Sequence, residues 1–227
     1  MEIIILILLL LTHIFIIQKS GNILSKKYGI KGFKKSVFLF PLSIILTVII
    51  VKLSGLAFFE AGMILGNIDK GLESIYLIGL PVAIFSASLV FAVPQKKLKE
   101  IKYGDKKNYY QIIYVWVIVG FVEEMLYRGF VQRYLNKIVD GKLLFLSYAT
   151  IISSLIFVLV HIINVYKKEE TLNAFLNMIP TRLVVALVLG YSFQISNSII
   201  YPIIIHNLID GMNFTVLIYR KKKLKNQ

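Results

Sequence analysis

The sequence predicts an all-α protein, a polytopic bundle of transmembrane helices with about seven (seven to eight) spans. The chain has 227 residues, of which 57% are hydrophobic, and its mean hydropathy is +0.76. Soluble domains use roughly 45–50% apolar residues. The apolar residues lie in long runs that are apolar on all sides. Helices satisfy their own backbone in lipid, whereas the strands of a membrane barrel would alternate apolar and polar residues.

The candidate spans follow one another along the whole chain, and most approach the ~20 residues that cross a bilayer core. The first is short and is expected to stop at Lys19. Met1 and Glu2 supply no basic region and no small-residue cleavage site follows, so we do not expect a cleavable signal. A different division of 172–219 would give eight spans. The seven predicted spans are roughly residues 3–17, 37–58, 74–93, 111–132, 143–165, 172–193 and 197–219.

The basic residues predict the orientation of the chain. Its net charge is +14, and 19 of its 26 lysines and arginines lie in 18–36, 94–110, 166–171 and 220–227. Because cytoplasmic loops carry an excess of Lys and Arg, we expect these segments in the cytoplasm and the N-terminus outside the cell membrane. We assign the charge to topology and to contact with membrane lipids, and expect no nucleic-acid partner. The segment 94–110 is basic and ends in tyrosines, which is typical of an interfacial stretch.

Charged and polar residues inside the spans are the candidates for function. Cysteine is absent, which excludes disulfides, thiolate catalysis and cysteine-ligated zinc. A charge near the bilayer centre costs at least roughly 2.5–3.5 kcal/mol, so a charge kept there indicates function. His13 has no charged neighbour, and we expect it to be an interior polar residue. The residues that lipid should exclude are Glu123, Glu124, Arg128, His161, Arg182, His206 and Asp210.

The segment EEMLYR places two carboxylates and a guanidinium on one predicted helix. Glu124 and Arg128 are four residues apart, so they share a face and can pair. Glu123 is turned about 100° away and is left free to act as a general base. The alternative is a buried ion pair that only fixes helix packing.

Two further segments, FVLVH and HNLID, carry the other candidates. Phe157 and His161 share one helix face, and His206 and Asp210 share another. Asp210 could orient His206; the alternatives are a histidine satisfied between helices and a carboxylate–imidazole clasp. A bundle core can gather side chains from facing helices, where they could activate a water and stabilise an oxyanion.

The patterns EExxxR, FxxxH and HxxxN/D, in this order and within apolar helices, resemble the CAAX-processing and bacteriocin-processing (Abi) family of intramembrane proteases. The resemblance covers about residues 120–215. It implies a catalytic core in 111–219. N-terminal spans and basic cytoplasmic loops in 1–110 precede that core, and a basic tail in 220–227 follows it.

The resemblance also implies a role for each matched residue. Glu123 corresponds to the glutamate that activates water, with His161 helping. Glu124 corresponds to the second glutamate, which Arg128 would anchor, and Phe157 supports the site.

His206 corresponds to the histidine of the oxyanion site, and Asp210 takes the last motif position. That position is often asparagine in members that process prenylated proteins. Because an aspartate donates a hydrogen bond only when protonated, Asp210 either donates to the oxyanion in its protonated form or orients His206.

Proteases of this family have been described both as metalloproteases and as glutamate-dependent enzymes, and the sequence leaves the cofactor open. Glu123, His161 and His206 would form a possible His₂Glu zinc set. The chain has no HExxH helix, which is the stronger zinc signal. We favour a water activated without tightly bound zinc.

Three functions remain as hypotheses. The first is an endopeptidase acting on a membrane-associated peptide or protein, such as a CAAX-type C-terminus, a bacteriocin leader or a signalling peptide. The second is a non-catalytic bacteriocin-immunity or regulatory protein that binds a peptide or partner. The third is a proton-coupled transporter, for which intramembrane charges are also expected.

Arg182 lies near Pro180 in the sixth predicted span and needs an anionic partner. We expect Asp210 or one of the two glutamates to supply it. Arg182 would then close a structural ion pair, or else line the cavity and bind a substrate carboxylate.

Overall fold

A computed structural model describes residues 1–100 and 109–225 of the chain. This part is almost entirely helical, as the apolar runs predicted. The predicted interfacial stretch 94–110 is described only in part. Gln95–Glu100 forms a short helix, and residues 101–108 lie outside the described residues, so the prediction for them stays a prediction.

Most of the secondary structure is α-helix, and the pieces are numbered here in chain order. They are α1 (Glu2–Lys27), α2 (Phe33–Leu53), α3 (Ile68–Ser74), α4 (Leu80–Ala92), α5 (Gln95–Glu100), α6 (Tyr109–Val117), α7 (Val119–Glu124), α8 (Arg133–Ile138), α9 (Tyr148–Val160), α10 (Ile162–Tyr166), α11 (Leu172–Ser196) and α12 (Ile200–Lys225).

Two π-helical segments and a small hairpin complete the fold. The π-helical segment Ile75–Gly79 joins α3 to α4, and Met125–Gln132 joins α7 to α8. The strands β1 (Lys142–Leu143) and β2 (Leu146–Ser147) pair antiparallel before α9. This hairpin is too short to change the predicted all-α class.

The predicted membrane bundle is confirmed, but the predicted count of seven to eight spans is wrong. Six helices in the described part of the chain are long and apolar enough to cross a membrane. The seventh predicted span, 197–219, forms α12, which has the length of a span. Its polar residues His206, Asn207, Asp210 and Asn213 lower its hydropathy, so it is not one of the six. The six are Glu2–Lys27, Phe33–Leu53, Ile68–Ala92, Tyr110–Ile138, Tyr148–Tyr166 and Leu172–Ser196.

The first span is longer than predicted, because α1 continues past Lys19 to Lys27. A change from apolar to polar residues does not end a helix unless the backbone also turns. The turn comes at Gly29 and Gly32, whose φ angles are 67° and 58°. Residues without a Cβ adopt this left-handed conformation without strain, so the chain reverses there into α2.

The packing places α12 at the centre of the bundle. It contacts α4, α6, α7 and α11, while α9 contacts α11 and the second π-helical segment. The largest buried apolar cluster includes Phe130, Phe157, Val158 and Ala186. Many outward side chains are apolar and exposed, for example Phe85 at 65%, which is what a lipid-facing surface requires. The central helix therefore brings its polar residues against α6 and α7.

Candidate active site

The two adjacent glutamates stand at the end of α7, where the π-helical segment Met125–Gln132 begins. Single-turn π-bulges are often found at functional sites. The side chain of Glu124 is 0% exposed and that of Glu123 is 35% exposed. Two neighbours in sequence therefore have different environments, one sealed and one open.

Glu124 forms the predicted ion pair with Arg128, whose Nε lies 3.0 Å from Glu124 Oε2. Both side chains are completely buried. Arg128 Nη2 also donates to the carbonyl oxygen of Ala186 on α11 at 3.1 Å, and the guanidinium lies over the Phe157 ring at 5.4 Å. The pair therefore ties α7 to α11 and holds the Glu124 carboxylate in place.

His206 on α12 lies between both glutamates. Its Nδ1 is 2.7 Å from Glu124 Oε1, and its Nε2 is 3.8 Å from Glu123 Oε2. Asp210, one turn further along α12, places Oδ2 3.4 Å from the same Nε2, so the predicted shared face of His206 and Asp210 is confirmed. Since carboxylates only accept hydrogen bonds, a protonated His206 ring can donate from both nitrogens.

His161 ends α9, and its ring nitrogen Nδ1 donates to the carbonyl oxygen of Phe157 at 2.8 Å. This bond fixes the proton on Nδ1 and leaves a lone pair on Nε2. The Phe157 ring lies 4.8 Å from the His161 ring and 6.2 Å from the His206 ring, centroid to centroid. Phe157 thus packs against both imidazoles and against Arg128.

A cavity of about 260 Å³ opens beside Glu123 and His161. Its wall therefore includes one carboxylate and one imidazole with a free nitrogen, the pair that an activated water requires. Further polar groups come from α1, α2, α10 and the segment that follows α10. The polar side chains that line it are His13, Gln18, Ser43, Glu123, Tyr127, His161, Asn164 and Lys167.

The predicted partners of Arg182 are wrong. Its Nη2 lies 3.0 Å from both carboxylate oxygens of Glu170, rather than near Asp210 or the two glutamates. Glu170 stands in the short turn before α11 and was assigned to a loop in the sequence. The ion pair that Arg182 closes ties this turn to α11.

The possible zinc set is not assembled. Among the described residues, no group of three or more His, Cys, Asp or Glu side chains is arranged to hold a metal ion. Glu124 holds His206 Nδ1 at 2.7 Å, which leaves Nε2 as the nitrogen that could bind a metal. The Phe157 ring packs against both the His161 and the His206 rings. The zinc set of Glu123, His161 and His206 therefore stays a prediction.

Asn207 is a site residue that the sequence argument missed. Its Oδ1 accepts from the backbone N–H of Gly120 at 2.9 Å, and its Nδ2 donates to the carbonyl oxygen of Val117 at 3.2 Å. Both bonds bridge α12 to the break between α6 and α7, and so set the position of Glu123. The sequence did contain a signal for Asn207, since it is a second polar residue directly after His206 in a largely apolar helix.

His13 was expected to be an interior polar residue, and it is 5% exposed. Its Nε2 lies 3.2 Å from Ser43 Oγ and 3.3 Å from Thr47 Oγ1 on α2. The sequence did not indicate that the same side chain lines the cavity with Glu123.

Residues 105–212 match the family described as type II CAAX prenyl endopeptidase Rce1-like. The match spans α6 to the middle of α12 and includes Glu123, His161, His206 and Asp210. The resemblance to the CAAX-processing and bacteriocin-processing family is confirmed. No curated protein and no solved structure matches the chain.

Proposed function

Because residues 105–212 match the family described as type II CAAX prenyl endopeptidase Rce1-like, we propose that the chain is an intramembrane endopeptidase. Its substrate is a membrane-associated peptide or protein: a CAAX-type C-terminus, a bacteriocin leader or a signalling peptide. One observation carries the proposal: His206 lies between the sealed Glu124 and the open Glu123, and Glu123 shares a cavity with His161.

Glu123 is the general base in this proposal. A water in the cavity donates one proton towards the Glu123 carboxylate and the other towards His161 Nε2, which the Phe157 carbonyl leaves free. Glu123 takes its proton as the water oxygen attacks the carbonyl carbon of the substrate, which forms a tetrahedral intermediate. His161 keeps the water aligned for that attack.

His206 supplies the oxyanion donor. Its ring is held at Nδ1 by Glu124, which Arg128 holds in turn. This chain of buried contacts fixes the ring before the reaction, which is what electrostatic stabilisation requires. Asp210 orients the Nε2–H, since an ionised aspartate cannot itself donate to an oxyanion.

The intermediate collapses when the C–N bond breaks. The new carboxylic acid contains the water oxygen and gives its remaining proton through His161 Nε2 to solvent, which leaves a carboxylate. The proton held by Glu123 passes to the leaving amine. Glu123 thereby returns to its ionised state. No step of the proposal is routed through a metal.

Cleavage by isosteric variants in membranes tests the proposal. Candidate peptides are co-expressed with wild type, Glu123→Gln, His161→Gln or His206→Gln, and products are identified by mass spectrometry. We expect each variant to lose at least about a hundredfold of the cleavage rate, since each removes a proton-transfer or oxyanion group.

Asp140→Asn is the matched control, because Asp140 lies in an exposed turn after α8 and should cut like wild type. Equal abundance of all five proteins is required for the comparison. If these variants cut or function as well as wild type, the glutamates and histidines have a structural role only. The non-catalytic binding hypothesis would then replace the protease.

A further inference from the structure

His13 belongs to α1, outside the part of the chain that matches the protease family. It is nevertheless in the wall of the cavity that contains Glu123 and His161. Its side chain is 5% exposed. A histidine placed on a lipid-spanning helix and turned into that cavity is available to a substrate.

Neighbouring acceptors favour one tautomer of His13. Thr47 Oγ1 donates its proton to the carbonyl oxygen of Ser43 at 2.9 Å. This hydroxyl oxygen, at 3.3 Å, and the Ser43 carbonyl oxygen, at 3.4 Å, are then acceptors for His13 Nε2, and the Ser43 hydroxyl, at 3.2 Å, can accept as well as donate. Two acceptors therefore favour the proton on Nε2, which leaves the lone pair on Nδ1.

His13 Nδ1 has no hydrogen-bond partner among the described residues, whereas Nε2 has several. The side chain thus offers one neutral acceptor at the cavity. A peptide segment that enters a membrane brings backbone N–H groups, and each must find an acceptor there because water is scarce.

The cavity is small: its volume of about 260 Å³ lies just below the roughly 300–1,000 Å³ of small-molecule sites. It accommodates a short part of a chain rather than a whole peptide. The N–H groups within reach of α1 are therefore those close to the bond that Glu123 and His161 would hydrolyse.

We propose that His13 is a substrate-positioning residue whose Nδ1 accepts a hydrogen bond from a backbone N–H of the substrate peptide near the cleaved bond. This inference rests on the proposed endopeptidase function. Ser43 and Thr47 act through His13, since they hold the proton on the opposite ring nitrogen. The N-terminal helices α1 and α2 thereby contribute to substrate recognition.

A matched pair of variants tests the inference with purified full-length protein in vesicles. His13→Asn keeps a hydrogen-bond acceptor near the Nδ1 position, whereas His13→Leu has a similar shape and no acceptor. We expect KM to rise about tenfold in His13→Leu, the size of one hydrogen bond, with kcat within about twofold. His13→Asn should restore most of the lost affinity.

A substrate series gives a second measurement, which changes the peptide and is made on the wild type and on His13→Leu. Each amide N–H near the cut is replaced in turn by an ester oxygen. One replacement should raise KM of the wild type about tenfold and have no further effect on His13→Leu, as expected for two partners of one bond. If no ester raises KM, or if His13→Leu keeps the wild-type KM, the inference is overturned while the protease stands.

The two proposals fail in distinguishable ways. If the wild type cuts no peptide, the proposed function and this inference fall together. If His13→Leu and His13→Asn raise KM equally, or if kcat falls and KM does not, His13 has a structural or proton-transfer role instead. Unfolding temperatures of both variants check that the pair is equally stable.

Discussion

Glu123 and Glu124 are adjacent in sequence but lie at opposite nitrogens of the His206 ring, because Arg128 holds Glu124 while Glu123 faces the cavity. Their spacing from Arg128 correctly assigned Glu124 to the ion pair and Glu123 to another face. Their joint contact with opposite nitrogens of His206 could not be predicted. That contact depends on how α12 packs against α7, and no local pattern records the packing of helices distant in sequence.

Other residues mark the limits of pattern-based reasoning. Arg182 was paired with the anions inside the predicted spans, while the structure pairs it with Glu170 of the turn that precedes α11. Asn207 was passed over because it is uncharged, and His13 was expected to be an interior polar residue because it has no charged neighbour. Their importance comes from what they contact, Gly120 and the cavity.

Removing Arg128 should destabilise the protein strongly. Arg128→Gln leaves the Glu124 carboxylate buried without its cation, which typically costs about 3–5 kcal/mol. Chemical unfolding in detergent measures the loss. Replacing both partners, in Glu124→Leu/Arg128→Leu, should recover part of it, because no lone charge then remains buried.

Lys70→Gln is the control for this measurement, because the Lys70–Glu73 pair is exposed and exposed pairs contribute little. We expect no measurable change in the free energy of unfolding for this variant. If Arg128→Gln is as stable as Lys70→Gln, the buried Glu124–Arg128 pair does not hold α7 against α11.

At the scale of elements, the helices were well predicted and their interruptions were not. The predicted spans 172–193 and 111–132 correspond to α11 and to the stretch from α6 to the second π-helical segment. The stretch is broken at Ile118 and changes to π-helix at Met125. No proline in the sequence marks either change. At the break, the side chain of Asn207 on α12 donates a hydrogen bond to the carbonyl oxygen of Val117.

Gly120 permits the close approach of α7 and α12. A Cβ at this position would lie 2.6 Å from Asn207 Oδ1 and 3.0 Å from His206 Cβ. We therefore expect Gly120→Ala to push α12 away, to destabilise the protein by about 1–3 kcal/mol, and to reduce cleavage because His206 moves from the glutamates. Unfolding and cleavage assays measure the two effects.

The Gly120→Ala/Asn207→Ala double variant is the matched test of this contact. The added methyl group and the Asn207 amide would occupy the same space. The double variant should therefore lose less stability than the sum of the losses in Gly120→Ala and Asn207→Ala. Strictly additive losses would mean that Gly120 and Asn207 act independently, and would contradict the packing account.

At the scale of the whole molecule, charge predicted an orientation, and hydropathy predicted a bundle. The bundle is confirmed, and the orientation remains a prediction. The difference between six and seven spans lies in α12, the helix with the site residues His206 and Asp210. The polar residues of α12 lower its hydropathy, whereas Tyr110–Ile138 stays among the six spans although it contains Glu123, Glu124 and Arg128.

Single cysteines can test the orientation, because the natural chain has none. With the N-terminus outside and α12 crossing the membrane, a membrane-impermeant maleimide should label Asp140→Cys in intact cells. It should label Lys97→Cys and Lys222→Cys only after permeabilisation. Labelling of Lys222→Cys from outside would show that α12 does not cross, and inverted labelling at all three positions would contradict the predicted orientation.

The central claim is that Glu123 activates a water for peptide-bond hydrolysis. The most direct measurement is cleavage of a single membrane peptide by purified wild type and Glu123→Gln in vesicles prepared in oxygen-18 water, with products identified by mass spectrometry. We predict that the wild type places oxygen-18 in the new carboxylate and that Glu123→Gln, equally folded, forms no product. Product from Glu123→Gln at the wild-type rate would contradict the account.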